Sequence, residues 1–259
     1  MAPSDSSARF WLWPNLLSLD APIVALLWQL LFARCFHAEV TPTAAALLVL
    51  AVWLIYAADR VFDARGESQS PRHQFYRRNW RAVSAVWAIV LAIAGWLAWT
   101  RLSHELFERG ALLAAAVTLY FALVHLAPLG NWPKEAAVAI LFALGASLAT
   151  WGRVRSAADV ATILLFSCLC WINCVAIEKW ERRKKRWPVT LAAACVAAAA
   201  IGLLSYQRPV LGSAEAASAL AFVLLDRGEN RFSRDALRVL ADVALLSPIV
   251  FLPLAGMLT

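Results

Sequence analysis

"AAALLVLAVWLIYAADRVFDARGES", residues 44–68, decides how this chain is read. Its first fifteen residues carry no charge, and Asp59, Arg60 and Asp63 then arrive within five positions. With the residues before it, the apolar part predicts a span near 42–58, approaching the roughly 20 residues a bilayer core needs. The run ends on two aspartates one helical turn apart, where a Lys or Arg is the usual membrane anchor.

The same character extends outward from this stretch. Of 259 residues, 62% are hydrophobic and 16% charged, and the mean hydropathy is +0.65. A soluble domain is nearer half apolar and about a quarter charged, so most of this chain faces something other than water. Apolar spans are expected near 18–36, 42–58, 82–100, 108–127, 135–151, 158–178, 187–205, 213–226 and 236–257. The eighth is the shortest. The ninth holds Pro248 and Pro253, which are tolerated where neighbours satisfy the backbone groups they free. Runs such as "LAAACVAAAAIGLL" are small enough to let helices approach closely. The expected fold class is all-α: a polytopic membrane helix bundle of about nine transmembrane helices, one integral membrane domain over residues 1–259. The opening "MAPSDSSARFWLWPN" has one arginine, and no small-residue cleavage pattern follows the first apolar run, which therefore reads as an uncleaved span.

Charge sets the expected orientation. With nine spans and the N-terminus inside, eighteen Lys and Arg fall on inner segments and six on outer ones. That bias predicts a multi-pass protein of the inner (cytoplasmic) membrane, with the N-terminus and the long basic loops in the cytoplasm. It also accounts for the net charge of +7 without a nucleic-acid partner. The five cysteines lie in or beside apolar runs without paired zinc-site spacing and read as small buried hydrophobes.

The inner face concentrates the chemistry. On a helix, Asp59 and Asp63 project from one face, with Tyr56 on the same side. Two carboxylates so placed repel each other and favour a cation between them. Mg²⁺ often takes one or two carboxylates plus substrate phosphates. The next loop, "SPRHQFYRRNWR", offers Arg72, His73, Arg77 and Arg78, and arginine forks match phosphate oxygens. The sixth span ends alike, in "CWINCVAIEKWERRKKRW". There Asn173, Glu178 and Glu181 cover an arc of about 140°. An Asn within an apolar run normally faces the bundle interior, as a site residue or in an interhelical hydrogen bond. Plainer readings stand beside these: solvated helix ends, and a basic run that anchors topology or meets acidic lipids. Asp20 reads as a helix cap or an inner-face site residue, and Asp242 as the i, i+4 partner of Arg238.

Spans two and six, four spans apart and on one side, thus share an acidic helix end followed by a basic loop. This arrangement resembles the UbiA superfamily of intramembrane prenyltransferases, which have nine helices and aspartate-rich motifs after helices two and six. The resemblance rests on "DRVFD", on the Arg-rich loop behind it, and on "YFALVHLAPLGNWPKEAAVAILFALGASLATWG" around spans four and five. It implies that Asp59, Asp63, Asn173, Glu178 and Glu181 hold Mg²⁺, with Asp59 and Asp63 the catalytic pair. It also implies that Tyr56, Arg72, Tyr120 and Lys134 bind the diphosphate. The activity it implies is Mg²⁺-dependent transfer of an isoprenyl group from an isoprenyl diphosphate to a lipophilic acceptor in the membrane. The partners are those two substrates and membrane lipids, with no obligate protein partner. Ile55 stands where the family's first motif has Asn, and the second motif carries Asn173, Glu178 and Glu181 in place of aspartates. Two other outcomes fit the same residues: a membrane terpene cyclase, and a non-catalytic lipid-binding or transport protein. Ser-His-Asp, P-loop, HExxH and glycine-rich nucleotide patterns are absent, and ionising a prenyl diphosphate needs none of them.

Overall fold

The computed structural model describes residues 18–63, 79–126, 134–182, 188–203 and 208–256, without the side chains of residues 62, 63, 125, 126 and 182. Among these residues ten α-helices follow in order: α1 Asp20–Cys35, α2 Pro42–Asp63, α3 Trp80–Arg101, α4 His104–Leu126, α5 Lys134–Ser147, α6 Ala157–Arg182, α7 Val189–Leu203, α8 Pro209–Arg227, α9 Arg234–Ala244 and α10 Pro248–Ala255. No strand occurs among the described residues.

Local chemistry explains where the helices begin and end. Thr41 Oγ1 accepts from the Ala44 N–H (3.2 Å) at the start of α2, and Ser233 Oγ from the Ala236 N–H (3.2 Å) at the start of α9. Each satisfies one of the orphan donors that open a helix. Ser156 and Asp159 form a reciprocal pair before α6: Ser156 Oγ accepts from the Asp159 N–H (3.1 Å), and Asp159 Oδ2 from the Ser156 N–H (3.0 Å). α1 stops at His37, whose φ of 53° lies in the left-handed region. There the Ala38 N–H reaches back to the Ala33 carbonyl (2.8 Å) and the His37 N–H to that of Arg34 (3.3 Å), which closes the last turn.

Among the described residues seven helical stretches are long and apolar enough to cross a membrane: Pro42–Val61, Trp80–Arg101, His104–Val124, Lys134–Arg153, Ala157–Glu181, Pro209–Arg227 and Arg234–Ala255. The expected eighth span is among them, because its helix begins at Pro209 and gains residues the apolar pattern leaves out. α1 and α7 stand where the first and seventh spans are expected but run to only 16 and 15 residues. The left-handed turn ends the first, and Pro188 delays the start of the seventh.

α1 packs against α2, α5 and α10. Trp28, Leu31 and Phe32 are fully buried, and Trp28 stacks on Phe166 of α6 at 4.3 Å. α6 in turn packs on α5, α7, α8 and α9. α7 and α8 bury Ala193, Ala197 and Ala200, and Gly212, Ala216 and Ala219, small residues that allow close approach. α3 and α4 lie at the edge, against α2 and α5. α3 buries nothing, and Trp99 and Leu112 are 77% and 70% exposed. In an aqueous protein such faces would be a liability; against lipid they are the expected surface.

The alternation of helices collects the starts of α1, α5 and α9 and the ends of α2 and α6 at one end of the bundle, around a common cavity. Asp226 at the end of α8 ties α6 and α7 together: it accepts from Lys179 Nζ (2.6 Å), Thr190 Oγ1 (2.7 Å) and the Thr190 N–H (3.2 Å). At the opposite end the buried Asp159 accepts from Arg208 Nε (2.6 Å) and so joins α6 to α8.

Candidate functional site

The cavity has a volume of about 280 Å³. α6 contributes a stripe at helical spacing: Cys170, Asn173, Cys174, Ile177, Glu178 and Glu181. α2 adds Tyr56, Asp59 and Arg60, and α5 adds Lys134, Glu135 and Phe142. Asp20 comes from α1, and Arg238 and Asp242 from α9. The expected residues Tyr56, Asp59, Lys134, Asn173, Glu178 and Glu181 therefore stand around one space, although more than 100 positions separate α2 from the end of α6.

One expected residue falls elsewhere and two are not placed. Tyr120 does not line the cavity; it sits on the outlying α4, its ring edge-on to Phe121 at 5.9 Å. Arg72 and the side chain of Asp63 lie outside the described residues. Conversely, Glu135, Arg238 and Asp242 line the cavity without having been singled out as diphosphate or metal residues. The spacing of Arg238 and Asp242 on an amphipathic turn was visible in the sequence. It pointed to an intrahelical pair, not to a site.

That pair reaches across instead. Asn173 Nδ2 donates to Asp242 Oδ1 at 3.2 Å, and the Arg238 guanidinium is ion-paired with Glu181. Asp242 also lies beside Asp20, like charge against like. Asn173 Oδ1, Arg60 Nε and Arg238 Nε are among the atoms buried without a hydrogen-bond partner among the described residues. Arg60 is close enough to Arg238 for the two cations to repel. Around Cys174, the charges of Asp59, Glu135, Asp242 and Lys134 converge. The site is thus a mixed one, with carboxylates and cations interleaved, and its unsatisfied donors are cationic.

The donor set fits one Mg²⁺ better than two. Among the described residues no three His, Cys, Asp or Glu side chains are grouped to hold a metal ion by themselves. A Mg²⁺ ion needs only one or two carboxylates when substrate phosphates supply the remaining oxygens, and Asp59 faces the space where they would lie. The second set is different. Glu181 is engaged by Arg238, and Asn173 turns its N–H group, not its oxygen, toward Asp242.

An aromatic wall runs inward from the cavity. Tyr56 meets Phe142 edge-on at 6.5 Å, Phe142 lies 6.1 Å from Phe166, and Phe166 stacks on Trp28 and meets Phe32 at 5.7 Å. Phe32 then stacks on Phe36 at 5.7 Å. Of these rings Tyr56 and Phe142 line the cavity, and Phe166, Trp28, Phe32 and Phe36 are buried in the core behind them. No family model, curated protein or solved structure matches the chain.

Proposed function

We propose that this protein is a Mg²⁺-dependent intramembrane prenyltransferase of the UbiA type, which takes an isoprenyl diphosphate and a lipophilic acceptor from the membrane. In this reading the chain crosses the inner membrane several times, with the cavity end and the N-terminus in the cytoplasm. The observation that carries it is the single cavity where carboxylates from α2 and α6 meet Arg60, Lys134 and Arg238. Lys134 and the guanidinium groups bind the diphosphate oxygens, and Asp59, with Asp63 one turn on, holds the metal. When bound, Mg²⁺ neutralises charge on the leaving diphosphate. The fixed cations add to that stabilisation. Tyr56 and Phe142 flank the head of the prenyl chain, keep water from the allylic carbon and offer ring faces to positive charge there.

Titration of geranyl diphosphate into the purified protein, with Mg²⁺ and with EDTA, tests this. Affinity should fall by more than roughly tenfold without metal, and Asp59→Asn or Asp63→Asn should erase the metal dependence, because Mg²⁺ gives up water reluctantly for a poorer ligand. Equal affinity in both buffers, unmoved by either variant, refutes the metal-dependent reading. A second reading, a lipid-binding protein without catalysis, is favoured by the engagement of Glu181 and Asn173 with α9. It predicts binding without turnover when membranes containing the protein are given labelled prenyl diphosphates and a lipid extract.

A further inference from the structure

Arg238 has three properties that no reading of α6 alone explains. It lines the cavity, it is ion-paired with Glu181, and its Nε–H is buried without a partner among the described residues. Only 14% of the Arg238 side chain is exposed. A buried guanidinium is costly unless its donors are satisfied. Here one carboxylate satisfies part of the fork, and Arg60 adds like charge nearby. Two neighbouring cations, each with a buried Nε–H that has no hydrogen-bond partner among the described residues, offer donors to an anion beside the carboxylates of the same lining. One turn on, Asp242 takes the Asn173 N–H. α9 therefore closes the acidic end of α6 twice, once with a positive charge and once with a carboxylate. Glu181, one of the carboxylates that a second metal ion would use, is already paired within the chain.

We infer that Arg238 stands in for a second metal ion: its guanidinium, braced on Glu181, is a protein-supplied cation that binds a diphosphate oxygen at the α6 side of the cavity, leaving a single Mg²⁺ at the α2 side. Arginine suits this place because its planar fork can hold a carboxylate on one edge and a phosphate oxygen on the other. The inference rests on the proposed diphosphate site for its ligand, but the pairing of Glu181 with Arg238 is independent of it.

The test uses Mn²⁺ as a paramagnetic substitute and inorganic pyrophosphate as the probe, on the full-length protein in nanodiscs. Bound Mn²⁺ is counted by electron paramagnetic resonance, and pyrophosphate affinity is measured in parallel. Wild type should bind one Mn²⁺ per chain, with the spectrum of an isolated ion. Glu181→Gln should keep that stoichiometry and bind pyrophosphate at least as tightly, since it frees the guanidinium. Arg238→Gln should weaken pyrophosphate binding by more than tenfold, and Arg238→Lys by less. Two coupled Mn²⁺ ions in wild type, or loss of metal-dependent binding in Glu181→Gln, overturns the inference by making Glu181 a metal ligand. Glu181→Gln also serves if Arg238→Gln fails to fold. Pyrophosphate binding that needs Arg238 but takes up no Mn²⁺ keeps Arg238 as the anion-binding cation and overturns both the single metal ion of the inference and the metal-dependent function. No binding of either probe refutes both.

Discussion

Trp28 shows how one residue repairs a break that the sequence creates elsewhere. Pro248 has no N–H and interrupts the last helical stretch. After the break the Ile249 N–H bonds to the Leu246 carbonyl, not to that of Leu245. The Leu245 carbonyl is taken by the Trp28 indole N–H at 2.9 Å. Trp28→Phe would keep an aromatic ring in this buried position but leave that carbonyl unpaired, at a cost of about 1–3 kcal/mol. A lower thermal midpoint with unchanged helix content is the expected result, and an unchanged midpoint would mean that another donor fills the gap. Glu215 poses the opposite case. It is fully buried, and neither carboxyl oxygen has a hydrogen-bond partner among the described residues. An unpaired polar group in an apolar core costs free energy that a hydrocarbon of similar size does not. Glu215→Leu should therefore raise the thermal midpoint, and a fall would reveal a partner that the carboxyl depends on.

Among the elements, α7 depends most on its neighbours. It has 15 residues, most of them Ala or Val, and packs chiefly on α8. Its first turn is held by Asp226, which takes both the N–H and the hydroxyl of Thr190 as well as Lys179. Asp226 is only 8% exposed. Asp226→Asn would leave Lys179 with Glu229 alone (3.1 Å) and weaken its bonds to Thr190. Removing one partner of such a pair costs on the order of 3 kcal/mol. The loss should appear as faster hydrogen exchange in α7 ahead of the rest of the bundle. Uniform exchange in the variant would show that α7 is held by packing instead. α9 is the other instructive element. Its buried residues Leu237, Ala241 and Ala244 fix the rotation that brings Arg238 and Asp242 to the cavity.

At the scale of the molecule, orientation can be tested. The excess of Lys and Arg on one set of loops predicts that cysteines placed at Ser68 and Arg183 are shielded from an impermeant thiol reagent in intact cells and labelled once the cells are opened. Labelling of either from outside overturns the proposed topology. The helical, membrane-like character was legible in the chain because the length and charge of apolar runs are local properties, and a bilayer imposes them directly. The end of α2 and the stripe on α6 were legible for the same reason: positions three and four apart share a helix face whatever surrounds them. Helix length was less so. The left-handed turn at His37, which shortens α1, depends on the backbone of a residue with no strong preference for that conformation. What only the tertiary structure decided is which helix faces which. Tyr120 shares its apolar surroundings with the residues around Lys134, yet its helix lies at the edge. Arg238 and Asp242 looked like partners of each other, yet they meet Glu181 and Asn173, roughly sixty residues away. Helix rotation and crossing are set by the packing of whole faces, and no short stretch of sequence contains both sides of a contact.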